Sequence, residues 1–137
     1  PPISGGADGT FRLAKDDTLP ASVAGNRMMI QPFLPSIAAE GEYSLFYFGG
    51  TFSHSIIKRP AAGDFRVQDQ FGGSEAALAA TATITNTGAL AYARVDMLRD
   101  GEGHFLLMEL ELIEPSLFLR FAPDNGAAFA KALLSRD

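Results

Sequence analysis

The stretch Tyr92-Ala-Arg-Val-Asp-Met-Leu-Arg-Asp-Gly-Glu-Gly-His-Phe-Leu-Leu-Met-Glu-Leu-Glu-Leu-Ile-Glu-Pro115 decides how this sequence is read. Two apolar runs flank Asp100-Gly101-Glu102-Gly103, the composition of a turn between antiparallel strands. Side chains alternate faces along a strand, so Glu109 and Glu111 share one face while Leu110, Leu112 and Glu114 take the other. On the first strand, Arg94 and Asp96 also share a face. A hairpin closing symmetrically about Glu102 and Gly103 sets Asp96 opposite Glu109, and a slip of one residue separates them. In that register three carboxylates and one guanidinium meet on one surface. Three carboxylates repel one another unless a cation sits between them. Oxygen donors, with no Cys and no His on this face, suit a hard ion such as Mg²⁺ or Mn²⁺ rather than zinc. The plain alternative is the solvated face of an exposed antiparallel sheet.

The rest of the chain is compatible with one domain built around such a sheet. Its 137 residues suffice for a single core, and 47% hydrophobic against 20% charged residues is the balance of a globular protein. The net charge is −5 and the basic residues are scattered, so neither nucleic acid nor a membrane surface is expected as a partner. No apolar run is long enough to span a bilayer, and no signal peptide is evident. Cysteine is absent, which excludes disulfides and thiolate chemistry and is compatible with the expected cytoplasmic location. An oligomer is compatible with this composition.

Upstream, Ser4-Gly5-Gly6-Ala7-Asp8-Gly9-Thr10 is a Gly-rich loop of the kind that lets backbone amides approach an anion, without P-loop or dinucleotide spacing. Residues 15–27 predict a loop or short helix. Met28 to Leu34 is an apolar run broken by Pro32, an edge strand or the exit from one. Glu40 to Gly50 predicts a strand ending in a Gly-Gly turn, with Thr51 to Lys58 as its hairpin partner. Phe65 to Gln68 is extended. Ser74 predicts the N-cap of a helix through Ala80, and Asn86 to Gly88 a turn. Ser116 to Phe121 reads as extended, and Ala127 to Ser135 as a closing helix. The fold class expected is α+β with an antiparallel sheet.

Read in order, these pieces resemble the ATP-grasp ligases, in particular a glutathione-synthetase-like subgroup that includes the D-cycloserine-forming ligase. Arg94-Val95-Asp96, the Gly-rich hairpin, Glu109-Leu110-Glu111 and Pro115 are similar to the family's metal-binding hairpin. Gln31-Pro32-Phe33-Leu34 resembles its adenine-binding hinge, and Gly41-Glu42 its ribose contact. The Ser4–Thr10 segment, with Ser4, Gly5 and Gly6, resembles the loop over the triphosphate. Lys58, Pro60 and Arg66 sit like the phosphate-site residues. The resemblance is specific from about Met28 to Pro115. It departs at Glu111, where the family usually has Asn. The lysine placed before the Pro-x-x-Ser segment would lie upstream of Pro1, and segments 15–27 and 74–91 are short for the helices expected there.

The resemblance therefore implies the C-terminal part of a ligase. Residues 1–30 would be a remnant of the smaller ATP-grasp subdomain, and residues 31–137 the subdomain with hinge and metal site. It implies ATP and Mg²⁺ (or Mn²⁺) as cofactors, with a small carboxylate and an amine-type acceptor as substrates. Asp96, Glu109 and Glu111 would hold two ions, Glu109 bridging. Lys58 and Arg66 would neutralise the transferring phosphoryl group, and Arg94 would stabilise the tetrahedral oxyanion. Two other readings stay open: a non-catalytic module derived from such a ligase, and a plain α+β interaction domain. His54, among apolar strand residues, is expected to be structural.

Overall fold

A computed structural model, describing residues 6, 7, 9–79 and 90–135, places five antiparallel strands in one sheet. They are β1 (Glu42–Phe48), β2 (Thr51–Arg59), β3 (Ser74–Ala77), β4 (Tyr92–Arg99) and β5 (Phe105–Glu111), in the order β3-β2-β1-β4-β5. Two short helices, α1 (Ser36–Ala39) and α2 (Ala127–Leu134), complete an α+β fold of the expected class.

The sheet is centred on β1 because its aromatic and branched residues can be covered on both faces. One face carries Leu45, Tyr47, Ala93 and Val95, with Tyr43, Phe52, Leu90 and Met97 packed against them. The other carries Phe46, Phe48 and Ile56 beneath α2 and the 3₁₀ turn Leu119–Phe121. A third cluster joins Leu98 and Met108 to Ile37 of α1, to Phe33 and Leu34, and to Phe65 and Val67. Between the second and third clusters lies a polar strip that crosses four strands.

Two turns set this arrangement. Gly41 precedes β1 with φ +111°, and an added Cβ there would lie 2.4 Å from the Lys58 carbonyl. Only glycine lets the two backbones approach so closely. At the hairpin tip, the Asp100 carboxylate accepts from the amides of Glu102 (2.8 Å) and His104 (2.9 Å), closing the loop. Those amides hold the Asp100 carboxyl below its ordinary range.

The structure corrects three local expectations. Ser74 does not cap a helix: Ser74–Ala77 is β3, paired with Ile56–Arg59. Sheet pairing overrides the helix preference of alanine there. Asn86 to Gly88 lie outside the described residues. Met28 to Leu34 forms no strand; Met29 and Ile30 are exposed, and only Phe33 and Leu34 join a cluster. Pro32 withholds the amide a ladder would need. Ser116 to Phe121 is not uniformly extended, since Phe118 is left-handed (φ 45°) and a 3₁₀ turn follows. The closing helix forms as expected, and Asp124 accepts from the amides of Gly126 (3.0 Å) and Ala128 (2.7 Å) at its start.

Candidate functional site

The site is assembled by cross-strand register. Asp96 of β4 lies opposite Ser44 of β1 and Glu109 of β5; Arg94 lies opposite Phe46 and Glu111; Glu42 lies opposite Lys58. The pairing of Asp96 with Glu109 is the one expected from the sequence, but it is reached indirectly. Near the tip Arg99 pairs with Phe105, a register that extended straight would set Met108 opposite Asp96. A β-bulge leaves Met108 unpaired and restores the acids to one face.

Arg94 stands at the centre. Its Nε donates to Asp96 Oδ2 (2.9 Å), its Nη2 to Glu109 Oε2 (3.2 Å), and its Nη1 lies 2.9 Å from Glu111 Oε2. Nη1 also reaches the Ser116 carbonyl at 3.4 Å. The cation that three clustered carboxylates require is thus, in this conformation, a guanidinium. Among the described residues no three His, Cys, Asp or Glu side chains converge as metal ligands. The three acids do share one centre and offer only oxygen, so the donor chemistry suits a hard divalent ion.

A second cation, Lys58, enters from β2. Its ammonium bonds Glu42 Oε1 at 2.6 Å and lies 3.4 Å from Asp96 Oδ1. Asp96 is 1% exposed, and both of its side-chain oxygens are engaged. This chain of charges, Glu42–Lys58–Asp96–Arg94 with Glu109 and Glu111, runs across β2, β1, β4 and β5.

Burial raises the Glu42 carboxyl above its ordinary value; Lys58 opposes this and Asp96 adds to it. Burial also raises Glu109, with Glu111 and Asp96 adding like charge and Arg94 working against them. Burial alone would lower Arg94, but Asp96, Glu111 and Glu109 together outweigh it and raise the guanidinium. The two shifts agree physically: the cation gains from every acid, whereas each acid also feels the other acids.

Other sequence-predicted residues are placed differently. Arg66 is held away from this network by Asp64 in a fork, with Nε 3.0 Å from Oδ1 and Nη2 2.7 Å from Oδ2. It stacks over Phe71 at 3.7 Å. Arg66 in turn holds the Asp64 carboxyl well below the usual carboxylate range. Phe33 and Leu34 pack in the cluster beside the strip, whereas Gln31 is exposed. The Gly6 carbonyl accepts from Gln70 Nε2 (2.9 Å), while Ser4 and Gly5 lie outside the described residues.

His54 is structural, as expected. Its ring stacks on Phe46 at 4.4 Å, and its Nε2 donates to the Leu117 carbonyl at 3.1 Å. Burial lowers its pKa, which keeps the imidazole neutral near pH 7. Ser44 was not singled out from the sequence. Its signal was a lone polar residue on the same face as Glu42 in an otherwise apolar strand.

No known family model matches the sequence. A curated relative, the cycloserine biosynthesis protein DcsG of Streptomyces lavendulae, is 35% identical over 130 residues, covering 82% of this chain and 43% of that protein. The crystal structure of D-cycloserine synthetase DcsG superposes with a TM-score of 0.62 at 30% identity, covering 77% of this chain and 41% of that one. The chain thus spans about two fifths of the length of the relatives it matches. Sequence and fold agree with the resemblance drawn from the hairpin, and the chain belongs to the ATP-grasp ligase superfamily, near D-cycloserine synthetase.

Proposed function

We propose that this chain is the nucleotide- and metal-binding part of an ATP-dependent ligase, which activates a small carboxylate as an acyl phosphate and passes it to an amine-type nucleophile. The observation that carries the reading is the convergence of Asp96, Glu109 and Glu111 on Arg94, with Lys58 joined through Asp96. Residues 1–30 are read as a remnant of the smaller ATP-grasp subdomain and residues 31–137 as the C-terminal one. The relationship to a D-cycloserine synthetase favours a small amino-acid-derived substrate.

Asp96, Glu109 and Glu111 would hold Mg²⁺ or Mn²⁺, and the ion would supply positive charge against the terminal phosphates of ATP. The remaining work falls to protein groups. Lys58 carries the ammonium that neutralises the transferring phosphoryl oxygens. Arg94 supplies a planar donor to the oxyanion formed when the nucleophile attacks. Its ties to Asp96 and Ser116 orient it from the inner side, leaving the bonds to Glu109 and Glu111 to be exchanged. Glu42 accepts from ribose hydroxyls once Lys58 is shared with phosphate. Backbone groups at Gln31, Phe33 and Leu34 border the adenine, and the resemblance of the Ser4–Thr10 segment assigns Ser4, Gly5 and Gly6 to triphosphate binding. Arg66 acts as a second phosphate contact through the guanidinium edge that Asp64 leaves free.

Calorimetric titration of the protein with a non-hydrolysable ATP analogue and Mg²⁺ tests the proposal. Binding is expected, weakened by about tenfold or more in Glu109→Gln. Absence of binding, or binding indifferent to that substitution, refutes it. The closed geometry around Arg94 favours one rival, a module that binds nucleotide without chemistry. Release of ADP in the presence of a carboxylate and an amine decides between them.

A further inference from the structure

We infer that Ser44 is the positioning residue of this site, fixing the Asp96 carboxylate and through it the placement of Lys58 and Arg94. Ser44 lies in the middle of β1, is 0% exposed, and faces Asp96 across the β1–β4 ladder. Its hydroxyl donates to Asp96 Oδ1 at 2.5 Å. A central strand position on this face otherwise holds Phe46, Phe48 or Ile56, so a small hydroxyl there forgoes apolar packing.

What it contributes is orientation. A carboxylate rotates about its Cβ–Cγ bond unless its oxygens are distinguished. Oδ2 is taken by Arg94 Nε at 2.9 Å. Oδ1 has Ser44 at 2.5 Å and Lys58 only at 3.4 Å, because the ammonium is drawn to Glu42 at 2.6 Å. Ser44 is therefore the short neutral donor that keeps Oδ1 toward β1 and β2 and Oδ2 toward Arg94. With it in place, the two cations are held on opposite oxygens of one buried carboxylate. Their spacing is set by the backbone ladder rather than by flexible side chains. The consequence for catalysis rests on the ligase reading above, in which Lys58 meets the phosphoryl group and Arg94 the oxyanion.

Two readouts test this. The first needs no ligand: the ¹⁵Nε–Hε resonance of Arg94, followed by NMR in Ser44→Ala, Ser44→Thr and Ser44→Val. Thr and Val add the same volume and differ only in the hydroxyl. The Arg94 resonance should shift and broaden in Ala and Val and stay near wild type in Thr. An unchanged resonance in Ala or Val overturns the inference, as does a Thr variant that behaves like Val. If Ala fails to fold, the Thr–Val pair still decides. The second readout is binding of Mn²⁺ with ADP, followed by electron paramagnetic resonance. Ser44→Ala should weaken it about 10–100-fold, and Thr should restore it. If wild type binds no Mn²⁺–ADP, the ligase reading fails, and the Arg94 resonance alone judges Ser44. If wild type binds and Ser44→Ala binds equally well, the inference fails and the ligase reading stands.

Discussion

β1 and β5 are both seven-residue strands rich in apolar side chains, yet their burial is opposite. In β1, Phe46 and Tyr47 are 0% and 1% exposed; in β5, Leu107 and Leu110 are 60% and 53% exposed. The difference lies in position. β1 is flanked on both edges and covered on both faces, while β5 closes one edge of the sheet. The site is built across this contrast: β1 supplies a dry floor at Ser44, and β5 supplies two acids from the rim. Arg94, 8% exposed, joins the two.

The contrast is sharpest in packing. Phe46→Ala should cost about 3–5 kcal/mol, whereas Leu107→Ala should stay within about 0.5 kcal/mol, both read from denaturant midpoints. Comparable losses would mean that β5 is covered in solution. Next, Arg94→Met removes the central cation. It should cost about 3–5 kcal/mol near pH 7, and acidification, by protonating the acids, should restore part of that loss. A variant as stable as wild type at every pH would show that the acids do not depend on the guanidinium.

Smaller effects probe the rim. Burial and neighbouring acids raise Glu109 above the ordinary glutamate value, so its contribution to stability is most favourable below about pH 4.5 and declines as pH rises. Glu109→Gln should therefore melt higher than wild type at neutral pH, with the gap closing toward pH 4. A lower melting temperature at pH 7 would mean that the bond to Arg94 dominates. On the buried side, His54 has a lowered pKa. The unfolded chain then binds the proton first, so stability present above about pH 6.5 is lost as pH falls toward the folded value. The difference in melting temperature between wild type and His54→Phe should shrink or reverse between about pH 7 and pH 5. A constant difference would show that the ring titrates as it does in water.

Much of this organisation was legible in the residues. The hairpin, the shared face of Asp96, Glu109 and Glu111, and the pairing of β1 with β2 followed from alternation and turn chemistry alone. Three things did not. Ser74–Ala77 is a strand because Ile56–Arg59 offers an open edge, and an alanine-rich segment carries no local sign of that partner. The segment from Met28 to Leu34 looks like a strand from composition, but no described strand pairs with it. The cation among the acids was legible as a need but read as a divalent ion, with Arg94 on the same surface and assigned to the oxyanion instead. Its simultaneous hold on all three acids depended on the β4–β5 register, which alternation narrows without settling.

Met108 carries a consequence beyond the register. As the odd residue of β5, it is released from the ladder and packs against the cluster of Ile37, Val67 and Leu98, against which Phe33 and Leu34 also pack. The strand that bears Glu109 thereby shares one core with the segment that would border a nucleotide base. Shortening that side chain, as in Met108→Ala, should therefore loosen the seat of Glu109 as well as the packing around Phe33 and Leu34, a change that hydrogen exchange on both segments would register.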